Sequence, residues 1–298
     1  ISVSGIEWIA IKDNICEKLN KRKIERTCNI LDTVYGESSI LALQECGAVF
    51  LEQIDNYGNM NHKFNVFSPS AMDRSRDQNS VILLNNTLFD ATSVVEVTGD
   101  VLDELRKKDK KAPVVAGDLF VISASALETA NAPTKKFLIA SFHGDTNGLA
   151  TVPVVEALAN VYEAKFSDHC LVFCLDANTY ENPTSTQQGV VEFSKYFCSR
   201  GMTSCFGDAP DPSNYTTFNA RTFLQPQLNK ACKSSELNKG DVNPKDFILF
   251  TKKHLSVHKW SKDNTGNKEY KEGIVFPTLT FPSDHGVISA SLRPASSQ

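Results

Sequence analysis

Short apolar runs alternate along the chain with polar, turn-rich stretches and with longer segments of helical period. The run from Cys170 to Leu175 is apolar on both faces, which is typical of a central strand covered by other layers. Apolar residues at helical spacing, with charged residues between them, predict a helix over 24–35. The pattern therefore predicts a mixed protein in which strands and helices interleave.

Strands are predicted where four to eight apolar residues stand between turn signals: 6–11, 40–43, 64–67, 81–84, 94–97, 119–124, 136–142, 170–175, 247–250, 275–281 and 287–292. Further helices are predicted over 48–54, 103–111, 152–166 and 192–199. We find no internal repeat and no low-complexity linker, so we predict a single domain over residues 1–298.

Groups that bind metal or handle protons lie where these predicted strands begin or end. They are Glu45, His143, Asp176, Asn178, Asp246, Asp284 and His285. A carboxylate directly after a buried strand is costly unless it is paired, bound to a ligand or at the rim of a sheet. The set is rich in oxygen donors, which suits Mg²⁺ or Mn²⁺ better than zinc. Such an ion beside carboxylates and imidazoles fits phosphate ester chemistry.

Two other stretches are candidates for substrate contact. The polar loop over 73–79 supplies Arg74, Arg76 and Asn79 as phosphate-binding side chains, against the alternative of a plain solvated loop. The segment over 206–245 is long, polar and almost without apolar period, as binding loops often are. Its aromatic and basic side chains are candidates for base stacking: Tyr215, Phe218, Arg221 and Phe223.

Composition narrows the function only slightly. The 298 residues are 41% hydrophobic and 22% charged, as in ordinary globular proteins. A net charge of -4 and a pI near 5.9 argue against a specialised polyanion binder. No run approaches the roughly 20 apolar residues of a membrane span.

The eight cysteines show no zinc-like spacing, and several lie in apolar runs. We therefore expect free thiols and a reducing intracellular compartment. The chain starts at Ile1 rather than Met, which is compatible with a removed leader, targeting segment or further domain.

The order of these motifs resembles the endonuclease/exonuclease/phosphatase superfamily of metal-dependent phosphoesterases. The matching stretches span nearly the whole chain: Leu43-Gln44-Glu45, the strand before His143, Asp176-Ala177-Asn178, the late Asp246 and Ser283-Asp284-His285. With Phe281-Pro282 in front, the last stretch resembles the branch that holds nocturnin and the carbon-catabolite-repressor-type deadenylases. The resemblance implies a four-layer α/β/β/α sandwich, in which two mixed sheets are flanked by helices and the site lies at one rim.

The resemblance also implies a metal site. Glu45 would be the principal ligand of Mg²⁺ or Mn²⁺, and Asp284 would support the metal or its waters. The family's first strand usually ends in an aromatic-Asn pair that helps to bind metal. The nearest counterpart here is Asn14, for which a simple turn role is the alternative.

For catalysis the resemblance implies that His143 contacts the scissile phosphate and that Asp176 orients or deprotonates the attacking water. Asn178 would hold water and phosphate, and His285, steered by Asp246, would stabilise the phosphoryl oxygens. The expected function is Mg²⁺-dependent hydrolysis of a phosphodiester at a nucleic-acid end or in a small nucleotide. A phosphatase acting on nucleotides or inositol phosphates is the alternative within this chemistry, and an inactive binding module on the same fold is the alternative outside it.

Overall fold

The computed structural model describes residues 5–54, 57–72, 74–128, 134–218 and 241–295. Helices lie at α1 (Gly5–Asn20), α2 (Lys23–Thr33), α3 (Ala48–Ile54), α4 (Met60–Lys63), α5 (Thr98–Lys108), α6 (Thr151–Lys165) and α7 (Val190–Ser199). Strands lie at β1 (Ile40–Cys46), β2 (Phe64–Phe67), β3 (Asn79–Asn85), β4 (Phe89–Glu96), β5 (Leu119–Ala126), β6 (Lys136–His143), β7 (Cys170–Asp176), β8 (Met202–Ser204), β9 (Asp246–Thr251), β10 (Leu255–Asp263) and β11 (Val287–Pro294).

One sheet has the strand order β4-β5-β6-β7-β9-β8. It is mixed, because β6 and β7 are parallel while the other neighbours are antiparallel. The parallel pair is joined by α6, as a crossover between parallel strands requires. The second layer consists of β1-β3-β2 and the pair β10-β11.

Side-chain alternation along the strands separates four layers. In β3, Val81 and Leu83 pack with α2 and α3, whereas Ile82 and Leu84 face the other sheet. In the larger sheet, alternate residues of β5 and β6 face either that shared core or α5, α6 and α7. Because side chains of a strand point to opposite faces in turn, the six-stranded sheet and the sheet β1-β3-β2 are covered on both sides. The predicted α/β/β/α sandwich is confirmed.

A cavity of about 1450 Å³ opens in the second layer. Every residue of β1 and of β11 lines it, and the inner face of the larger sheet and α2 contribute further apolar side chains. Glu45, Asp176, Asp246, Asp284 and His285 also line this cavity. It therefore extends to the strand ends that carry the polar groups.

Two of the predicted strands were wrong. Residues 6–11 belong to α1 rather than to a strand. Residues 275–281 form no strand: Pro277 interrupts the run, and Phe276 and Phe281 are buried in a cluster with Ile30 and Tyr35. Strand β10, which pairs antiparallel with β11, was not predicted.

Six cysteines are free thiols: Cys28, Cys46, Cys170, Cys174, Cys198 and Cys205. None of the helices in the described part of the chain combines the length and the apolar character that crossing a bilayer requires.

Candidate active site

Strand register places three of the predicted groups in one row. His143 ends β6 and is paired in register with Asp176, which ends β7; Asp176 is in turn paired with Asp246, the first residue of β9. Neighbouring strands lie about 4.8 Å apart, so these side chains are within mutual reach. Strands β6, β7 and β9 lie inside the six-stranded sheet, where each is paired with a neighbour on both sides.

Asp176 is the most buried carboxylate of this row. Its Oδ1 accepts a hydrogen bond from the backbone N–H of Asn178 at 2.9 Å, and its Oδ2 accepts one from Nδ2 of Asn178 at 3.3 Å. Burial raises the pKa of Asp176 to about 6, with nearby His285 opposing the shift. A carboxylate with such a pKa can accept a proton near neutral pH.

His285 approaches the row from the loop before β11. Its Nδ1 donates to Asp246 Oδ2 at 2.9 Å, and its Nε2 lies 3.9 Å from Asp176 Oδ2. Burial alone would lower the pKa of His285, but the charges of Asp246 and Asp176 raise it well above the usual range. The imidazole is therefore held as a cation whose Nε2 side faces Asp176.

Glu45 lies at the end of β1, where the register of its pairing with β3 shifts and its backbone adopts φ 56°. The neighbouring Gln44 donates from Nε2 to Ser141 Oγ at 2.8 Å, which ties β1 to β6. Glu45 Oε1 lies 3.3 Å from His143 Nε2. The hydrogen bond from His143 lowers the pKa of Glu45, against the opposing effects of burial and of the Asp284 charge.

His143 joins Glu45 to the row. Its Nε2 also lies 3.6 Å from Asp176 Oδ2. Burial would lower the pKa of His143, but the hydrogen bond to Glu45 and the charge of Asp176 raise it overall. The protonated form of His143, which both carboxylates favour, can donate a hydrogen bond to an anionic substrate.

Thr216 connects strand β9, which begins with Asp246, to the loop that carries His285. Its hydroxyl oxygen accepts hydrogen bonds from the backbone N–H of Lys245 at 2.9 Å and of Asp246 at 3.1 Å. Its carbonyl accepts from the N–H of Gly286 at 2.7 Å, and its N–H donates to the carbonyl of Asn243. Thr216 thus closes the stem of the long predicted loop against the site.

Neither a protein-family model nor a curated protein sequence matches the chain. Solved structures do. An endonuclease/exonuclease/phosphatase from Bacteroides vulgatus has a TM-score of 0.58 at 11% identity, covering 92% of this chain and 91% of that chain. D. rerio TDP2 complexed with single strand DNA product has a TM-score of 0.55 at 11% identity, with 93% and 95% covered. The human nocturnin catalytic domain with bound sulfate has 0.52 at 16% identity, with 91% and 86% covered.

The chain has the endonuclease/exonuclease/phosphatase fold. At this level of identity the likeness concerns the fold, and it agrees with the resemblance that the sequence motifs carry. The endonuclease/exonuclease/phosphatase fold was predicted from motif order, and the structure brings Glu45, His143, Asp176, Asp246 and His285 to one edge.

The structure does not bring Asn14 to this edge. Asn14 lies within α1 with an exposed side chain, rather than at the end of a strand. The strand on which its metal role depended is absent from the described residues, and α1 does not line the cavity of Glu45 and Asp284. We therefore leave Asn14 out of the site.

The predicted phosphate-binding loop also needs correction. Arg76 donates to the carbonyl of Ala116 at 2.9 Å and to Asp118 Oδ1 at 3.2 Å. Asn79 is fully buried, and its Nδ2 donates to the carbonyl of Cys46 at 3.0 Å. These contacts hold the loop against the protein itself, whereas Arg74 has an exposed side chain.

Of the four base-stacking candidates in the segment over 206–245, two make contacts within the protein and two lie outside the described residues. Phe218 packs against the buried cluster of Tyr35 and Phe281, and the Tyr215 hydroxyl donates to Glu181 Oε2 at 2.8 Å. Arg221 and Phe223 lie outside the described residues.

The donor atoms at this edge fit a hard divalent cation. Asp176, Asp246 and His285 each offer a ligand atom within 4.8 Å of the others, and Glu45 and Asp284 add two carboxylates. Cys46 and Cys174 also line the cavity, but burial raises their thiol pKa to about 12. Thiols that stay protonated are poor ligands, so the carboxylate oxygens are the main available donors, as Mg²⁺ or Mn²⁺ prefers.

Sequence reasoning missed Lys245. This lysine precedes β9 and is buried, with Nζ 2.9 Å from Asn178 Oδ1. The available signal was its position directly before Asp246 and an apolar run, since a residue there enters the sheet beside the carboxylate.

Proposed function

We propose that the protein is a Mg²⁺- or Mn²⁺-dependent phosphoester hydrolase. The observation that carries the proposal is the buried Asp176, whose pKa is raised to about 6, set in register between His143 and Asp246. A base of this strength beside imidazolium donors fits the attack of water on an anionic phosphoester. The fold supports the same chemistry, because proteins of this fold named above include an endonuclease/exonuclease/phosphatase.

In the proposed reaction, Asp176 accepts a proton from water while the water oxygen forms a bond to phosphorus. The bond from phosphorus to the leaving oxygen breaks, and that oxygen takes up a proton from solvent or a neighbouring acid. Asn178 helps to fix the orientation of Asp176 through Nδ2. The raised pKa of His143 and of His285 favours their protonated forms, which donate hydrogen bonds to phosphoryl oxygens.

Glu45 and Asp284 would hold the divalent cation. When bound, the cation would neutralise charge on the phosphoryl group and position the substrate. Removing the metal by chelation is therefore expected to stop turnover.

The proposed substrate is a phosphodiester at a nucleic-acid end or in a small nucleotide. The D. rerio TDP2 structure with a single strand DNA product and the nocturnin domain with sulfate support an anionic, phosphate-like ligand at this fold. The net charge of -4 and the internal engagement of Arg76 favour a compact substrate over an extended polyanion.

A substrate panel tests the proposal. Purified protein with Mg²⁺, or with EDTA, is incubated with labelled single-stranded RNA and DNA, abasic duplex, inositol phosphates and dinucleotides, with Asp176→Asn as the matched control. We expect metal-dependent cleavage of a short single strand or a dinucleotide by the unmodified protein. Phosphate release from small monoesters alone would indicate a phosphatase, and no turnover of any substrate would indicate a binding module.

A further inference from the structure

Lys245 is a buried cation directly beside the proposed base. Its side chain is 7% exposed, and Nζ lies 2.9 Å from Asn178 Oδ1 and 2.9 Å from Asp241 Oδ2. The same Nζ lies 5.4 Å from the centre of the Tyr180 ring. Its three donor positions are therefore directed at an amide oxygen, a carboxylate and an aromatic face.

The lysine contact decides which way the Asn178 carboxamide points. An ammonium group donates hydrogen bonds and cannot accept them, so the amide atom that faces Lys245 must be the oxygen. The amide nitrogen then points the other way, where Nδ2 donates to the carbonyl of Gly144 at 2.9 Å and to Asp176 Oδ2 at 3.3 Å. A rotated amide would set its oxygen against that carbonyl and carboxylate, which is repulsive.

The surroundings keep Lys245 charged. Burial would lower its pKa, but the charges of Asp241 and Asp176 raise it above the usual range. A buried ammonium is costly compared with an apolar residue of similar length, so its retention at this position calls for a role beyond packing. The backbone of Lys245 also contacts the segment that carries the base. Its carbonyl accepts a hydrogen bond at 2.8 Å from the N–H of Ala177, the residue between Asp176 and Asn178.

We propose that Lys245 is a positioning residue that locks the carboxamide of Asn178 so that Nδ2 faces Asp176. Lys245 itself does not touch the reacting atoms. It acts through Asn178 on the carboxylate that handles the water proton, and the inference in this form rests on the proposed hydrolase function.

The test compares Lys245→Met, which keeps the side-chain length and removes the donors, with the conservative Lys245→Arg. For Met we expect kcat to fall about tenfold with KM little changed, because substrate contacts are intact, whereas Arg should retain most activity. In an Asn178→Ala background, Lys245→Met should add almost no further loss, because the residue through which it acts is gone. The proposal would be overturned if the kcat losses of Lys245→Met and Asn178→Ala were fully additive, or if Lys245→Met raised KM and left kcat unchanged.

Lys262→Met serves as the matched control. Lys262 is similarly buried, with Nζ over the Tyr270 ring at 4.0 Å and 3.0 Å from the carbonyl of Tyr215, and its partners in the described residues are Tyr215, Tyr270 and Glu272 rather than Asn178 or Asp176. Thermal unfolding of both methionine variants reports any general loss of packing. Only Lys245→Met should lower kcat in a way that depends on Asn178.

A second measurement does not depend on turnover. In protein labelled with ¹⁵N-asparagine, the side-chain amide signal of Asn178 is assigned by its loss in Asn178→Ala. We expect slow exchange of these amide protons in the unmodified protein and in Lys245→Arg, and much faster exchange in Lys245→Met. An unchanged signal in Lys245→Met would refute the positioning role even if no phosphoester were hydrolysed; absent turnover by itself would count against the proposed function alone.

Discussion

Replacing Asp246 with asparagine keeps the shape of the side chain and removes the charge that faces His285. In the unmodified protein, Nδ1 of His285 lies 2.9 Å and 3.2 Å from the two carboxylate oxygens. Because the Asp246 charge is the main group that raises the pKa of His285, the variant should lower that pKa. The ring then spends more time neutral near pH 7 and donates a weaker hydrogen bond from Nε2.

The structure sets the size of the effect. Opposite unit charges about 4 Å apart attract by roughly 4 kcal/mol at an effective dielectric of about 20. The two side chains keep 25% and 14% exposure, so solvent screening and the desolvation of both groups reduce this value. If about half remains, the loss is roughly 2 kcal/mol, which corresponds to about a thirtyfold fall in turnover when the interaction acts fully in the transition state.

The assay combines kinetics with NMR of the six histidines. The His285 signal is assigned with His285→Ala, and its titration is followed in both proteins. We expect a lower pKa in Asp246→Asn, and a double variant that is no slower than His285→Ala alone. Asp168→Asn is the control, because Asp168 faces His169 at 2.7 Å elsewhere and should alter neither turnover nor the His285 signal. An unchanged His285 titration, or additive kinetic losses, would refute the pairing as a functional unit.

Three further predictions follow from the same edge of the sheet. Asp176→Asn should lower turnover about a hundredfold or more. In the unmodified protein, turnover should rise with pH through about 6 as Asp176 loses its proton, and this rise should be absent from the variant. The pKa of Asp176 in the folded protein lies above the ordinary 3.8, so its contribution to the free energy of unfolding is present below pH 3.8 and is lost as pH rises through about 6. The melting temperature should therefore depend less on pH across this range in Asp176→Asn than in the unmodified protein. Glu45→Gln should largely abolish turnover and weaken Mg²⁺ binding in isothermal titration; equal affinity and rate would exclude Glu45 as a ligand. On a short single-stranded oligonucleotide, the logarithm of 1/KM should fall only slowly with log[salt], with a slope of about −1.4 if two phosphates are engaged. A steep slope would indicate an extended groove instead.

The larger sheet and its polar groups could be predicted from the sequence because buried strands produce continuous apolar runs. The runs before His143 and Asp176, and the run after Asp246, are strands β6, β7 and β9 as expected. Strand ends are rigid and reach one edge of the sheet, so the polar residues at those ends met as the pattern implied.

The first element could not be predicted because a short apolar run has no decisive period. Ile6, Trp8 and Ala10 fit strand alternation, but the same stretch continues into Ile15 and is helical to Asn20. The error carried over to Asn14, whose proposed role depended on the end of a strand.

Lys245 and strand β10 were missed for different physical reasons. The position of Lys245 directly before Asp246 was a local signal, but its hydrogen bond to Asn178, 67 positions away, could not be predicted from the sequence pattern. Strand β10 is half exposed and mixes charged with apolar residues, so its identity comes from pairing with β11 rather than from its own pattern.

The hydrogen bonds of Thr216 have a consequence for which parts of the amino-acid sequence can change. The hydrogen bonds from Lys245, Asp246 and Gly286 to Thr216 fasten both flanks of the long segment directly to the catalytic strands. Once the ends of a loop are fixed, doubling its length costs only about 0.6 kcal/mol in closure entropy. The contacts at Thr216 therefore hold Asp246 and Gly286 in place by themselves, whatever sequence connects residues 218 and 241. A change of sequence between those two residues is thus expected to leave the geometry of Asp246 and His285 unchanged.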